Sequence, residues 1–109
     1  MKQLQDQSVI NLPSPRLTGE MSLEEALSSR ESIRDFSSEP LTKEELSQLL
    51  WAVQGATRDG DTRTTPSAGA LLPLEVYVVL QEGVFHYSPK EHCLSRHSEQ
   101  DLRETLAIA

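Results

Sequence analysis

Arg30, Ser32 and Arg34 stand at alternate positions, with Glu31, Ile33 and Asp35 between them and after them. In an extended chain alternate side chains share a face, so two guanidiniums and a hydroxyl project together. Arginine offers a rigid fork of donors that matches phosphate oxygens, and a serine adds one more hydrogen bond. The pattern is a phosphate clamp in outline. As spacing alone it is common, and the competing reading is a solvated turn in which Arg30 and Arg34 pair with Glu31 and Asp35. A second stretch, Pro66-Ser67-Ala68-Gly69-Ala70-Leu71-Leu72-Pro73, is a loop of small residues between two prolines. The prolines bias it to extended conformations, and Ala68, Gly69 and Ala70 leave its main chain uncovered. A flat ligand can therefore reach the backbone N–H groups closely. The competing reading is an ordinary loop feeding a core strand.

The other reactive residue types are poorer candidates. His86, His92 and His97 lack a metal-ligand spacing, and no Cys-x-x-Cys or His-x-x-Glu-His arrangement is present. His86 sits in a strand pattern and reads as a satisfied sheet residue. Cys93, the single cysteine, has only His92 beside it and reads as a small buried residue. Glu24, Glu25, Glu44 and Glu45 are first-turn helix acids. No Gly-x-Gly-x-x-Gly or Walker loop supports a nucleotide fold of those types.

At 109 residues the chain makes one domain at most, with a modest core. Hydrophobic residues at 37% and charged residues at 25% describe a globular chain rather than a disordered one. A net charge of −7 argues against nucleic-acid binding through bulk electrostatics but leaves room for a local basic phosphate site. One cysteine excludes an internal disulfide and suits a reducing compartment. No apolar run has the length of a signal peptide core or a bilayer span, so the expected location is cytoplasmic, with no membrane partner.

These residues need elements to position them. Residues 1–20, with Pro13, Pro15 and Gly19, read as an extended arm. Its apolar stretch of Val9, Ile10 and Leu12 is expected either to lie on another surface, such as a partner subunit's, or to fray. Ser22-Leu23-Glu24-Glu25 is a capping box opening a short helix, with Leu23, Ala26 and Leu27 on one face, that ends near Arg30. Thr42-Lys43-Glu44-Glu45 is a second capping box. Leu46, Leu49, Leu50 and Val53 follow at i, i+3, i+4 and i+7 as an amphipathic stripe, and Gly55 is the stop signal. Trp51 near that end reads as core or interface. Residues 57–65 read as a polar surface loop. Val76 to Leu80 is a strand expected to be buried on both faces. Gln81-Glu82-Gly83 is a turn, Val84 to Tyr87 an antiparallel partner strand, and Cys93-Leu94 a brief third strand. Ser98 is the expected cap of a last helix carrying Leu102 and Leu106. Residues 21–109 thus read as an incomplete domain.

Four stretches in this order resemble the FMN-dependent nitroreductase superfamily. They are Ser22-Leu23-Glu24-Glu25-Ala26-Leu27, Arg30-Glu31-Ser32-Ile33-Arg34-Asp35-Phe36, Leu46 through Gly55, and Pro66 through Tyr77. Gly83-Val84-Phe85-His86-Tyr87 and Leu94 also fit. Within that superfamily they look most like the SagB-type dehydrogenases, which include the azoline oxidases of thiazole/oxazole-modified peptide biosynthesis. The resemblance implies an α+β fold of helices on a small, mainly antiparallel sheet, bound FMN, and an intertwined homodimer with flavin at the subunit interface. It implies that Arg30, Ser32 and Arg34 hold the FMN phosphate and ribityl chain, and that Pro66, Ser67, Ala68 and Gly69 pack on the flavin from the other subunit. Glu31 departs from the basic residue many members carry there. Ala70 stands where nitroreductases proper often have Asn, which favours the SagB-like branch.

The resemblance covers the N-terminal half of such proteins, and no catalytic residue is carried over to this chain. It implies an FMN-dependent oxidoreductase that transfers hydride through flavin N5, with small molecules or peptide azolines as substrate, in a truncated or split chain. The alternative is a non-catalytic interaction module that docks on a full-length homologue.

Overall fold

The computed structural model describes residues 8–57, 62–66 and 74–107. Their order is β1 (Val9–Asn11), α1 (Leu23–Ser29), α2 (Lys43–Gln54), β2 (Ala56–Thr57), β3 (Thr62–Arg63), β4 (Tyr77–Leu80), β5 (Gly83–Ser88), β6 (Cys93–Ser98) and α3 (Arg103–Ala107). Four strands form one antiparallel sheet in the order β1-β6-β5-β4, with α2 packed across it. The fold is the α+β arrangement expected from the sequence.

The sheet is built by two hairpins. β4 and β5 meet through a two-residue turn, Gln81-Glu82, closed by the Leu80–Gly83 pair. Gly83 has φ 139°, and a Cβ there would collide with the Ser98 carbonyl, so the turn needs glycine. β5 and β6 are joined by Pro89 through His92, with Ser88 opposite Cys93. A register shift after Val84 inserts one extra residue in β6 and turns His97 outward. β6 is six residues long rather than a brief strand, because it is paired on both sides. Its second partner is β1: Val9, Ile10 and Asn11 face Ser95, Leu94 and Cys93. The apolar stretch of the N-terminal arm therefore docks on this chain's own sheet.

The register puts Ile10, Leu94 and Tyr87 in one row across three strands. With Phe85 they form the floor on which Leu46 and Leu50 of α2 sit, and all six are buried. Leu49 and Val53, the rest of the predicted stripe, remain about half exposed. β4 also differs from expectation. It is an edge strand, and Tyr77 is half exposed instead of buried.

The capping boxes are realised unequally. Thr42 accepts from the Glu45 N–H while the Glu45 side chain accepts from the Thr42 N–H, closing the box of α2. At α1, Ser22 accepts from the Glu25 N–H at 3.0 Å, but the return bond is absent. α1 buries none of its residues, so nothing fixes the Glu25 side chain. α3 starts later than expected. Ser98 ends β6, and Asp101 takes the Arg103 N–H instead. The polar stretch after α2 contains a small ladder, Ala56–Arg63 and Thr57–Thr62.

Gly55 ends α2 for a reason other than left-handed backbone. Its φ is −63°, its N–H donates to Trp51 O at 2.7 Å, and a Cβ would strike Trp51 Cδ1 and O. Gly55→Ala is expected to destabilise the fold by about 1–3 kcal/mol through that overpacking. Thr42→Ala should cost about 1 kcal/mol through the lost cap. Urea unfolding followed by the fluorescence of Trp51, the single tryptophan, checks both.

Candidate functional site

Arg30 caps the C-terminal end of α1 with extended backbone, and residues 31–36 continue without helix or ladder. Every residue from Met21 to Leu41 is exposed. Among the described residues, neither Arg30 nor Arg34 pairs with Glu31, Asp35 or any other acid, and Ser32 makes no hydrogen bond. Two cations and a hydroxyl are thus offered to solvent on a segment that this chain does not cover. Of the loop predicted to meet the same ligand, Pro66 is described and exposed. Ser67, Ala68 and Gly69 lie outside the described residues. The neighbouring Thr65 hydroxyl is closed to solvent and has no hydrogen-bond partner among the described residues.

A second cluster was not legible as such in the sequence. His92 ends the β5–β6 turn at φ 49°, a left-handed position that histidine adopts more readily than most residues. Its Nδ1 lies 2.8 Å from Tyr87 Oη, and its Nε2 lies 2.7 Å from Ser47 Oγ and 3.0 Å from Pro13 O. Ser47 in turn donates to Pro13 O. One assignment satisfies every group: Tyr87 O–H donates to Nδ1, Nε2–H donates to Ser47 Oγ, and Ser47 O–H donates to the carbonyl. Ser47 is 1% exposed and its proton is committed to Pro13 O, so this Ser–His pair fastens elements together and does not serve as a nucleophile. The available signal was Ser47 itself, a polar residue on the apolar arc between Leu46 and Leu50, where burial demands a partner.

Beside His92 lies a cleft of about 540 Å³, walled by Pro15 and Leu17 of the arm, Trp51, Thr57 and Lys90. None of the predicted clamp residues reaches it. His86 is held as the sequence suggested: Nε2 is 2.7 Å from Glu75 Oε2, and the ring leans on Tyr77. Cys93 is buried. Among the described residues no group of His, Cys, Asp and Glu is arranged to hold a metal, and no helix is long and apolar enough to cross a membrane.

Burial pushes the Tyr87 phenol above its ordinary 10.0; Arg63 opposes this and Cys93 adds to it. Burial, then the Glu91 carboxylate, pushes the Cys93 thiol above 9.0.

The family model described as "Nitroreductase family" matches residues 27–107. The chain belongs to the nitroreductase family. A Methanocaldococcus jannaschii protein with a provisional nitroreductase name is 41% identical over 96 residues, covering 83% of this chain and 48% of the relative. The crystal structure of a protein from Ralstonia eutropha JMP134, also provisionally named a nitroreductase, superposes with a TM-score of 0.83 at 41% identity. That match covers 89% of this chain and 47% of the other. This nitroreductase-family chain therefore spans about half the length of the relatives it matches.

Two outcomes are expected from the His92 cluster. His92→Ala should destabilise the fold by roughly 2–4 kcal/mol, because it leaves the buried Tyr87 hydroxyl without its acceptor, takes the imidazole donor from Ser47 Oγ and places alanine at a left-handed position. His92→Asn keeps a tolerant residue at that φ and should lose measurably less in urea unfolding. Second, Tyr87 and Cys93 ionise less readily folded than unfolded. Their stabilisation is complete below their ordinary ranges and is lost as pH rises above about 9. Stability measured from pH 7 upward should fall, and the fall should be shallower in Tyr87→Phe and in Cys93→Ser.

Proposed function

We propose that this chain is part of an FMN-dependent oxidoreductase, with Arg30, Ser32 and Arg34 as the flavin phosphate clamp. The observation that carries this reading is the pair of unneutralised guanidiniums flanking Ser32 on an exposed segment. An exposed cation pair left unmatched by nearby acids suits a doubly charged phosphate monoester. When bound, the flavin supplies hydride transfer at N5. Arg30 and Arg34 would hold the phosphate, Ser32 would donate to it or to the ribityl chain, and the loop from Pro66 to Gly69 would pack on the ring from a second subunit.

Several features support assembly with a homodimer partner or a full-length homologue. Leu23 and Leu27 of α1, Ile33 and Phe36 are all more than half exposed, Phe36 at 84%. A segment this apolar and uncovered suits a protein interface. Ala70 supports the SagB-type branch and peptide azoline substrates over nitroaromatic ones. The same exposed segment also supports the second reading, a flavin-free module that docks on a full-length homologue without activity of its own.

In the flavin-loaded assembly, Arg30→Ala combined with Arg34→Ala is expected to abolish retention of flavin, read as loss of absorbance near ~450 nm after gel filtration. Unchanged flavin content would remove the clamp assignment. A stoichiometric complex that stays colourless with added FMN would favour the second reading.

A further inference from the structure

The cleft of about 540 Å³ beside Trp51 is lined by none of the clamp residues. Its size is that of a small-molecule site, about 300–1,000 Å³. Three elements wall it. The N-terminal arm brings Pro15 and Leu17, the last turn of α2 brings Trp51, and the β5–β6 turn brings Pro89, Lys90 and His92. These walls are set before any ligand arrives. Pro13 O accepts from Ser47, and the Arg16 main chain exchanges two hydrogen bonds with the Gln48 amide, so the arm is fastened on both sides of Pro15. The Trp51 ring lies against Gly55, where a Cβ would strike its Cδ1. His92 is held through both ring nitrogens. A cavity with fixed walls binds a ligand without first having to order them.

The lining selects the occupant. Proline, leucine and tryptophan side chains offer apolar and aromatic surface, and Leu17 stands 77% exposed. Flat rings stack well on such surfaces. The polar groups are mostly engaged already: Thr57 Oγ1 lies 2.6 Å from Thr62 Oγ1, and His92 has no nitrogen free. A ligand rich in hydroxyls would lose its water and find few partners, which disfavours a sugar. The charge is of one sign. Among the described residues no Asp or Glu lines the cleft, and Lys90 forms no hydrogen bond or ion pair. The carboxylate of the neighbouring Glu91 is turned to Cys93 Sγ at 3.7 Å. We propose that this cleft binds a small aromatic monocarboxylate, its ring against Pro15, Leu17 and Trp51 and its carboxylate at Lys90. A single lysine matches one carboxylate, whereas a dianionic phosphate suits the paired arginines elsewhere in the chain. The inference does not rest on flavin binding.

Trp51 is the single tryptophan, so its emission reports on the cleft directly. Titration of the purified 109-residue chain with benzoate should give a saturable change, and neutral benzamide should bind roughly threefold more weakly. Lys90→Gln should weaken benzoate by about three- to fivefold and remove the preference over benzamide. Leu17→Glu should weaken it roughly tenfold or more, by setting an acid beside the bound carboxylate. Lys43→Gln, at the start of α2 outside the cleft, should change nothing. Leu17 and Lys90 are both exposed, so far-UV circular dichroism should match wild type for each variant. A non-saturating change, equal binding of benzamide, or unaltered binding in Lys90→Gln overturns the proposal. So does a benzoate response that FMN displaces, because the ligand would then occupy the flavin site. Saturable binding that Leu17→Glu removes and FMN leaves untouched upholds the cleft, whether or not the chain carries flavin.

Discussion

The hydrogen bonds around His92 decide how three elements sit together. Apolar contact between Leu46, Leu50 and the sheet is strong but non-directional. It would tolerate α2 sliding or turning on its floor. Ser47, Tyr87 and Pro13 O converge on one imidazole and remove that freedom, because each hydroxyl is buried and has to find this partner. The result fixes helix, hairpin turn and N-terminal arm in one register. The arm that wall depends on also carries Pro15 and Leu17, so the cleft beside Trp51 owes its shape to the same bonds.

From that knot outward the molecule is finished on one side and open on the other. Toward the arm, β1 completes the sheet edge, Leu12 N–H donates to His92 O, and Gln48 exchanges hydrogen bonds with the main chain of Arg16. Toward β4 nothing equivalent is present among the described residues. Residues 21–41 are exposed throughout. A domain of this size has little apolar surface to spare. Leu23, Leu27, Phe36, Leu49 and Val53 are left in contact with water in a chain about half as long as the relatives it matches.

The proposed phosphate clamp shows the same dependence. The proposal gives its chemistry to Arg30, Ser32 and Arg34, but precise recognition needs side chains held in place before the ligand arrives. Here α1 supplies the anchor at Arg30 only, and α1 itself buries none of its residues. Under that proposal the clamp would gain its rigidity from assembly.

Local signals in the sequence determined the helices, the hairpin and the family. The Thr42 box, the i, i+3, i+4 apolar spacing of α2, the Gly83 turn and the β-branched runs act over a few residues, where propensity and capping geometry suffice. The alternation of Arg30, Ser32 and Arg34 was equally local and could be read directly. Tertiary structure decided which apolar residues became core. Leu46, Leu49, Leu50 and Val53 look alike in periodicity, and only the position of the sheet separates the buried pair from the exposed one. It also decided that Val9–Asn11 is a strand, since three residues form one only against a β6 already in place. His92 belongs to the same class: its partners lie five, 45 and 79 residues away, and long-range hydrogen bonds of that kind leave no pattern in a linear chain.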